Sequence, residues 1–119
     1  MKQTGIAATG KLEIWTTAQQ PIVLDAPAAE GYILGRSDAN SQYLPDVDLA
    51  ECDALNKGVS RRHAAIVAFQ GIVHIIDLNS VNGTFLNGQR LPANEPHALS
   101  ADDQISLGTL PLKLVQKGE

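Results

Sequence analysis

Short apolar runs separated by turn residues make up this chain, and no stretch keeps a helical period over several turns. Two of the turns are Gln70-Gly71 and Asn87-Gly88. Asn-Gly is a strong hairpin signal, because a type I′ turn requires positive φ at both central residues. The predicted strands are residues 12–16, 22–26, 32–36, 47–50, 62–69, 72–77, 84–86, 89–91, 97–99, 104–107 and 110–115. This pattern predicts an all-β protein.

The first hairpin also predicts how its two strands pair. A two-residue turn at Gln70-Gly71 places residues 64–69 opposite residues 72–77 in an antiparallel ladder. The expected partners are Phe69 with Ile72, Val67 with His74, and Ala65 with Ile76. Residues 62–69 are apolar on both faces, as in an inner strand of a two-layer protein. We therefore expect a two-layer β-sandwich of about eleven mostly antiparallel strands.

Length and composition limit the domain organisation. The 119 residues fit one domain, and a hydrophobic content of 44% is typical of a globular chain. We expect a flexible leader over residues 1–10, the folded domain over residues 11–116, and a short tail over residues 117–119. Cys52 is the only cysteine, and no apolar run approaches the roughly 20 residues of a membrane span. These features favour the cytoplasm.

The net charge of −4 argues against broad binding to nucleic acid or to anionic membranes. Three polar segments nevertheless carry groups that a core does not need. They are Gly35-Arg36 at the end of a predicted strand, residues 60–63 before the most apolar strand, and residues 77–84 between the two hairpins. Loops at one end of a sandwich cluster in space even when they are distant in sequence. The three segments can therefore meet at one ligand.

The chemistry of these segments suits a phosphate group. Arg36 and Arg61 carry planar, permanently charged donors that match phosphate oxygens. Ser60 adds a neutral donor on a short side chain, and the amide of Asn82 can both donate to and accept from a peptide backbone. A phosphothreonine brings about −1.5 to −2 charges and three acceptor oxygens. The set predicts a phosphopeptide receptor.

The ordered motif resembles the forkhead-associated (FHA) domain over roughly residues 12–115. It reads Gly35-Arg36, then Ser60-x-x-His63, then Asp77-x-x-Ser80-x-Asn82-Gly83-Thr84-x-x-Asn87-Gly88. Any one piece is weak, whereas the ordered set is highly specific. The resemblance implies an eleven-stranded sandwich with its ligand loops at one end, and recognition of phosphorylated peptides by an arginine cluster.

The resemblance also implies a role for individual residues. Arg36 and Ser60 would bind the phosphate directly, with Arg61 assisting. Asn82 would hold the peptide main chain, and Val81 would lie near the methyl group that distinguishes phosphothreonine from phosphoserine. The positions that match site-shaping residues of the family are Gly35, His63 and Gly83.

Two positions depart from patterns found in the family. In some members a long side chain two residues before the serine helps to read the third residue after the phosphothreonine. This chain has Gly58 there, so that reading would fall to Lys57 or to another loop. Val81 stands where threonine is common; it can pack against a methyl group but cannot donate a hydrogen bond. Both differences bear on sequence preference rather than on phosphate binding.

Two other functions stay open at this point. The sandwich can serve as a scaffold for association that ignores phosphate, including self-association. A hydrolase would use Ser60, His63 and Asp77, but residues three apart in a regular strand diverge, so we expect no catalytic residue. His74 and His97 have no cysteine or carboxylate at metal-ligand spacing, so we expect neither a metal site nor a cofactor.

The predicted function is therefore a phosphothreonine-dependent protein-binding module in Ser/Thr kinase signalling. The expected partners are a protein or peptide that carries phosphothreonine and the kinase that produces it. We expect no nucleic-acid partner and no insertion into a membrane.

Overall fold

The computed structural model describes residues 5–117 and contains eleven strands. They are β1 (Lys11–Trp15), β2 (Ile22–Asp25), β3 (Tyr32–Gly35), β4 (Val47–Asp48), β5 (Ala64–Phe69), β6 (Ile72–Asp77), β7 (Thr84–Leu86), β8 (Gln89–Arg90), β9 (His97–Ala98), β10 (Ile105–Leu107) and β11 (Leu110–Gln116). A 3-10 turn at Ala50–Cys52 follows β4. No helix within residues 5–117 has the length and apolar character needed to cross a bilayer. The predicted all-β class is confirmed.

The strands form two sheets that pack as a sandwich. The six-stranded sheet has the order β2-β1-β11-β10-β7-β8, and the five-stranded sheet has the order β4-β3-β5-β6-β9. Pairing between neighbouring strands is antiparallel throughout, except that β3 and β4 run parallel. The prediction of about eleven mostly antiparallel strands in two layers is confirmed.

The two predicted hairpins have the expected geometry. Gln70 and Gly71 have φ values of 53° and 78°, and Asn87 and Gly88 have values of 51° and 85°, which suit type I′ turns. The observed register of β5 and β6 pairs Phe69 with Ile72, Val67 with His74, and Ala65 with Ile76, as the turn predicted. Local turn chemistry therefore determines the register of these strands.

The core lies between the sheets and is aliphatic. Along β1, Leu12 and Ile14 are fully buried, while Lys11 and Trp15 on the other face are exposed. The same alternation buries three leucines of β11, and β5 and β6 contribute further Ile and Val side chains. Each fully buried Leu or Ile stabilises the fold by about 1.5–3 kcal/mol relative to an exposed one. Packing of these side chains holds the two sheets together.

Residues 5–8 belong to the folded domain. Ile6 is only 5% exposed, its amide donates to the Leu99 carbonyl at 2.8 Å, and its own carbonyl accepts from Val73 at 2.8 Å. The amide of Ala8 donates to Gly71. The predicted flexible leader over residues 1–10 is therefore wrong for residues 5–8, because one isoleucine and backbone pairing anchor them. Residues 1–4, and residues 118–119 of the predicted tail, lie outside the described residues.

Sheet topology brings three connections to one end of the sandwich. Strand β3 is antiparallel to β5, and β5 is antiparallel to β6. One end of the five-stranded sheet therefore contains the end of β3, the start of β5 and the end of β6. The connections at this end are residues 36–46, residues 53–63 and residues 78–83. Together with Gly35, Asp77 and Thr84 at the strand ends, these connections contain all three polar segments found in the sequence.

Candidate functional site

Gly35 and Arg36 end β3 in direct contact with the segment before β5. A Cβ atom at position 35 would overlap the Arg61 carbonyl oxygen, so only glycine allows this approach. The Arg36 amide donates to the same Arg61 carbonyl at 3.3 Å, and the Arg36 Nε–H donates to the Val59 carbonyl at 2.7 Å. The Arg36 side chain is 17% exposed. The guanidinium is therefore fixed at Nε, and its two terminal nitrogens take no part in the Val59 contact.

The segment from Ser60 to His63 bends rather than extending β5. Strand β5 begins at Ala64, two residues later than the sequence predicted. The bend lets the Ser60 amide donate to Nδ1 of His63 at 3.0 Å. The Ser60 hydroxyl oxygen accepts from the Val81 amide at 3.3 Å, which joins this segment to the third loop. Because the oxygen accepts there, the hydroxyl hydrogen can still be donated to a ligand.

His63 is a fully buried bridge between two of the loops. Its Nδ1 accepts from Ser60, and its Nε2 lies 2.8 Å from the Gly83 carbonyl oxygen. These partners assign the neutral tautomer with hydrogen on Nε2, which donates to Gly83. Burial lowers the pKa of His63 below its usual value, although the Gly83 carbonyl and the Asp77 charge oppose this. Both ring nitrogens therefore form hydrogen bonds with backbone groups, one with the Ser60 amide and one with the Gly83 carbonyl.

Asp77 organises the third loop, residues 78–83. Its Oδ1 accepts from the hydroxyls of Ser80 and Thr84, both at 2.6 Å, and Oδ2 accepts from the Ser80 amide at 3.2 Å. The Ser80 oxygen in turn accepts from the Gly83 amide at 3.0 Å. Burial alone would raise the pKa of Asp77, but these hydrogen bonds outweigh it and lower the pKa. The loop is thus fixed by an ionised, buried carboxylate.

Val81 and Asn82 form the tip of that loop. Val81 is 80% exposed, which is unusual for a branched apolar side chain. The Asn82 side-chain amide donates to the Gly58 carbonyl at 3.0 Å, across to the loop before β5. Its amide oxygen and remaining hydrogen are suited to a peptide backbone. The tip therefore combines an apolar contact surface with a polar group beside it.

Arg61 and Arg62 are both exposed and act on different neighbours. The charge of Arg61 acts on the carboxyl of Asp38, near Arg36, whereas the charge of Arg62 acts on the hydroxyl of Tyr43. Arg61 therefore shares its surroundings with Arg36, while the charge of Arg62 acts on a different residue of the loop after β3. The three predicted segments thus meet at one rim of the sandwich.

The geometry is unsuited to serine hydrolysis. We expected Ser60 and His63 to diverge in a regular strand, but the bend places them in contact. The contact uses the Ser60 backbone amide, while the Ser60 hydroxyl is bonded to Val81. The Asp77 carboxylate binds the hydroxyls of Ser80 and Thr84 instead of orienting His63. This hydrogen-bonding pattern gives the serine no general base.

Three features of the rim were missed from the sequence. Asp38 lies 3.6 Å from Arg36, and its spacing of two residues from Arg36 was the available signal. Arg90 of β8 lies against Gly83 and donates to the Val81 carbonyl at 3.5 Å, which only the tertiary fold reveals. A groove of about 450 Å³ borders the rim, and its lining includes Lys57, Asn82, Phe85 and Thr109.

No group of three or more His, Cys, Asp or Glu side chains suited to a metal ion occurs among residues 5–117. The His74 ring contacts its own strand, with Nδ1 2.9 Å from the Ile72 carbonyl oxygen. His97 lies near Glu95 at 3.7 Å. The hydrogen-bond donors that converge at the rim are cationic or neutral and are suited to an anion. Asp38 adds one carboxylate beside them.

The fold and the rim together define a class: a β-sandwich recognition module whose polar loops meet at one end. The sequence model of the FHA domain matches residues 32–108, which is more than half of the chain. The chain belongs to the FHA domain family, as the ordered motif predicted. This is a family of binding modules that read phosphorylated motifs with arginine clusters.

Similar proteins are longer than this chain. The human nuclear inhibitor of protein phosphatase 1 is 38% identical over 63 residues, which cover 51% of this chain and 18% of that protein. The oxoglutarate dehydrogenase inhibitor of Corynebacterium diphtheriae is 30% identical over 89 residues, covering 75% of this chain and 58% of that protein. The chain thus spans less than two thirds of the length of either relative.

Solved structures share the fold over nearly the whole chain. The FHA domain of the CT664 protein from Chlamydia trachomatis is 28% identical with a TM-score of 0.66, covering 91% of this chain and 97% of that one. The N-terminal FHA domain of Rad53p from S. cerevisiae, in complex with a phosphothreonine peptide, is 24% identical with a TM-score of 0.65. That match covers 89% of this chain and 93% of the yeast domain.

Proposed function

We propose that this domain binds proteins phosphorylated on threonine, through the peptide around the phosphate, and catalyses no reaction. The observation that carries the proposal is the meeting of Arg36, Ser60 and Asn82 at one rim, on loops tied by hydrogen bonds. Family membership supports it, as does the phosphothreonine peptide bound by the similar yeast domain. Fixed donors favour binding because little side-chain freedom is lost when the ligand arrives.

The phosphate would bind at the Arg36 guanidinium, the Ser60 hydroxyl and the Arg61 side chain. Arg36 is held by its Nε contact to Val59, which leaves its terminal nitrogens for phosphate oxygens. Ser60 accepts from Val81 and donates its own hydrogen. Arg61 is exposed and adds charge beside them. Gly35 supports this arrangement by allowing the close approach of β3.

The peptide would lie across the third loop, with its main chain on Asn82. The Asn82 amide, fixed through Gly58, offers one donor and one acceptor to the backbone beside the phosphothreonine. Val81 would contact the threonine methyl group, since its exposed side chain stands next to Asn82. His63 and Gly83 would shape the site by joining the loops rather than by touching the ligand.

Preference for residues after the phosphothreonine would arise in the groove beside Asn82. Lys57 lies in its wall, while Gly58 contributes no side chain to reach the ligand. A lysine ammonium in a groove with Phe85 and Thr109 favours a ligand side chain that is acidic or polar. We propose this groove as the reader of sequence context.

The ligand requires an enzyme that makes it, so we propose that a Ser/Thr kinase acts upstream of this module. A single cysteine and the absence of an apolar run of membrane length in the sequence favour a cytoplasmic setting. Docking to a freshly phosphorylated partner would then localise one protein beside another.

A second function, association independent of phosphate, is favoured by one observation. Trp15 and Val23 are 39% and 57% exposed on the outer face of β1 and β2. Exposed apolar side chains on a sheet face are suited to protein contact. A variant with both Arg36→Ala and Ser60→Ala separates the two functions, because partner binding that survives both changes favours the scaffold.

A phosphopeptide library tests the proposed function. Peptides selected from an oriented library are titrated as phosphothreonine, phosphoserine and unmodified versions against the domain. We expect the phosphothreonine version to bind most tightly and the unmodified version not to bind. Indistinguishable binding of the three versions would exclude the proposal.

A further inference from the structure

The loop after β3 carries an acidic side chain next to the proposed phosphate site. Asp38 Oδ2 lies 3.6 Å from Nη1 of Arg36, and the two side chains are 26% and 17% exposed. The other carboxylate oxygen, Oδ1, accepts from the Asn40 amide at 2.8 Å, which fixes the loop geometry. The carboxylate is therefore directed at a terminal nitrogen of the arginine that the phosphate would bind.

Both cations of the site act on this carboxylate. The Asn40 amide, and then the charges of Arg61 and Arg36, lower the pKa of Asp38 in spite of partial burial. The carboxylate is thus ionised at neutral pH and partly neutralises the two arginines. A hollow of about 330 Å³ opens beside Arg36 and Asp38, so cation and anion share one space that is accessible to a ligand.

We infer that Asp38 is an internal counter-ion that competes with the phosphate for Arg36 and Arg61, and thereby sets the charge required of a ligand. The inference rests on the proposed function. A ligand carboxylate brings the same single charge as Asp38 and gains little by replacing it. A phosphothreonine brings about −1.5 to −2 charges and three oxygens, so it can replace the carboxylate at both cations. Asp38 then lowers the affinity of the site for anionic ligands. It lowers the affinity most for ligands with a single negative charge, and in this way it determines specificity.

The test compares wild type with Asp38→Asn. The asparagine oxygen can still accept from Asn40, so the substitution removes charge while keeping the loop contact. We expect a phosphothreonine peptide to bind the variant about threefold to tenfold more tightly, since repulsion between two anions at one site is lost. A version of the peptide with glutamate in place of phosphothreonine should gain more than this, because its single charge gains little by replacing Asp38 in wild type.

Two controls accompany the substitution. Glu30→Gln removes the same charge at the exposed loop before β3, at the other end of that strand from Gly35. It should leave the affinity within about twofold of wild type, because exposed charges beyond a Debye length are screened. In the Arg36→Ala background, Asp38→Asn should give a smaller gain in peptide affinity than in wild type, because one of the two cations for which Asp38 and the phosphate compete is gone.

Distinct results separate the inference from the proposed function. If wild type binds the phosphothreonine peptide and Asp38→Asn binds it equally or more weakly, the inference is wrong and the proposed function stands. If wild type does not bind the phosphothreonine peptide, the proposed function is wrong, and so is the inference that rests on it. Should Asp38→Asn fold poorly, the ¹³C resonance of the Asp38 carboxyl in wild type decides. It should move on saturation with peptide, and an unchanged resonance would overturn the inference.

Discussion

Arg36 is fixed before any ligand arrives, through its Nε contact to Val59 and its backbone contact to Arg61. An arginine held in this way loses less rotamer freedom on binding than a solvated one. At the scale of single residues, the site therefore depends on fixed donors rather than on a large number of charges. The neighbouring Arg62 has an equal charge, but that charge acts on Tyr43.

Replacement of Arg36 tests this distinction. Arg36→Ala should weaken binding of a phosphothreonine peptide by about 1.5–3 kcal/mol, the scale of a hydrogen bond to a charged group. Arg62→Ala removes the same charge nearby and should change the binding free energy by less than about 0.5 kcal/mol. Isothermal titration calorimetry measures both. Equal losses in the two variants would show that general charge, and not the fixed guanidinium, drives binding.

The burial of neutral His63 predicts how the free energy of unfolding responds to mild acid. Its pKa is lowered in the folded state by burial, whereas the unfolded residue titrates near pH 6.5. The stability contributed by neutral His63 is thus complete above that value and falls as the pH drops below it. Between pH 7.5 and 5.5 the loss from this residue should reach at most about 1.4 kcal/mol.

Urea unfolding at the two pH values measures this loss. A His63→Gln variant serves as the control, because it keeps a donor and an acceptor but does not titrate. The variant is less stable overall, yet its free energy of unfolding should change less between the two pH values than that of wild type. An equal pH dependence in both proteins would contradict the assignment of His63 as a buried neutral residue.

At the scale of elements, the close approach of β3 to the bend before β5 positions the site. Gly35→Ala places a Cβ against the Arg61 carbonyl oxygen and should cost about 1–3 kcal/mol of stability, as overpacking does. Because the displaced segment carries Ser60 and Arg61, peptide affinity should fall as well. Thermal unfolding and peptide titration of the same variant measure the two effects.

Gly88→Ala is the matched control. Gly88 has a φ of 85° with open space around it, in the turn between β7 and β8. Alanine there should cost about 1 kcal/mol of stability through backbone strain alone. Its peptide affinity should equal that of wild type. If Gly35→Ala lost only stability and kept full affinity, the strand contact would have no part in positioning the site.

Local chemistry made some elements predictable from sequence. Both the Gln70-Gly71 and the Asn87-Gly88 turns were predicted, because turn conformation depends on the two residues themselves. The register of the Gln70-Gly71 hairpin was predicted with its turn. The start of β5 was predicted two residues too early, because the hydrogen bond from Ser60 to His63 holds Arg62 and His63 in a bend instead of the strand. Tertiary contacts decide such boundaries.

Among the residues around the rim, too, some were predictable from the sequence and others only from the tertiary fold. The ordered motif identified Arg36, Ser60 and Asn82, because each lies at a fixed sequence distance from other residues of the motif. Arg90 lies on β8 and reaches Gly83 only after the hairpin folds back, so no local pattern points to it. Ile6 likewise joins the core through pairing with distant strands.

At the scale of the whole molecule, a chain of net charge −4 presents two neighbouring arginines, Arg36 and Arg61, at one end. Antiparallel pairing of β3, β5 and β6 assembles that end from segments up to 46 residues apart in sequence, between Arg36 and Asn82. The proposed anionic ligand would therefore be attracted by local geometry against the overall charge. The aliphatic core between the sheets provides the rigid support for this arrangement.

The central claim is that three separate loops bind one phosphothreonine peptide together. A ¹⁵N–¹H spectrum of the labelled domain, titrated with a phosphothreonine peptide, tests it most directly. We expect amide shifts to concentrate at residues 35–37, 59–62 and 80–83 and to be lost in Arg36→Ala. Shifts confined to the opposite end of the sandwich, around the Gln70-Gly71 and Asn87-Gly88 turns, would contradict the account.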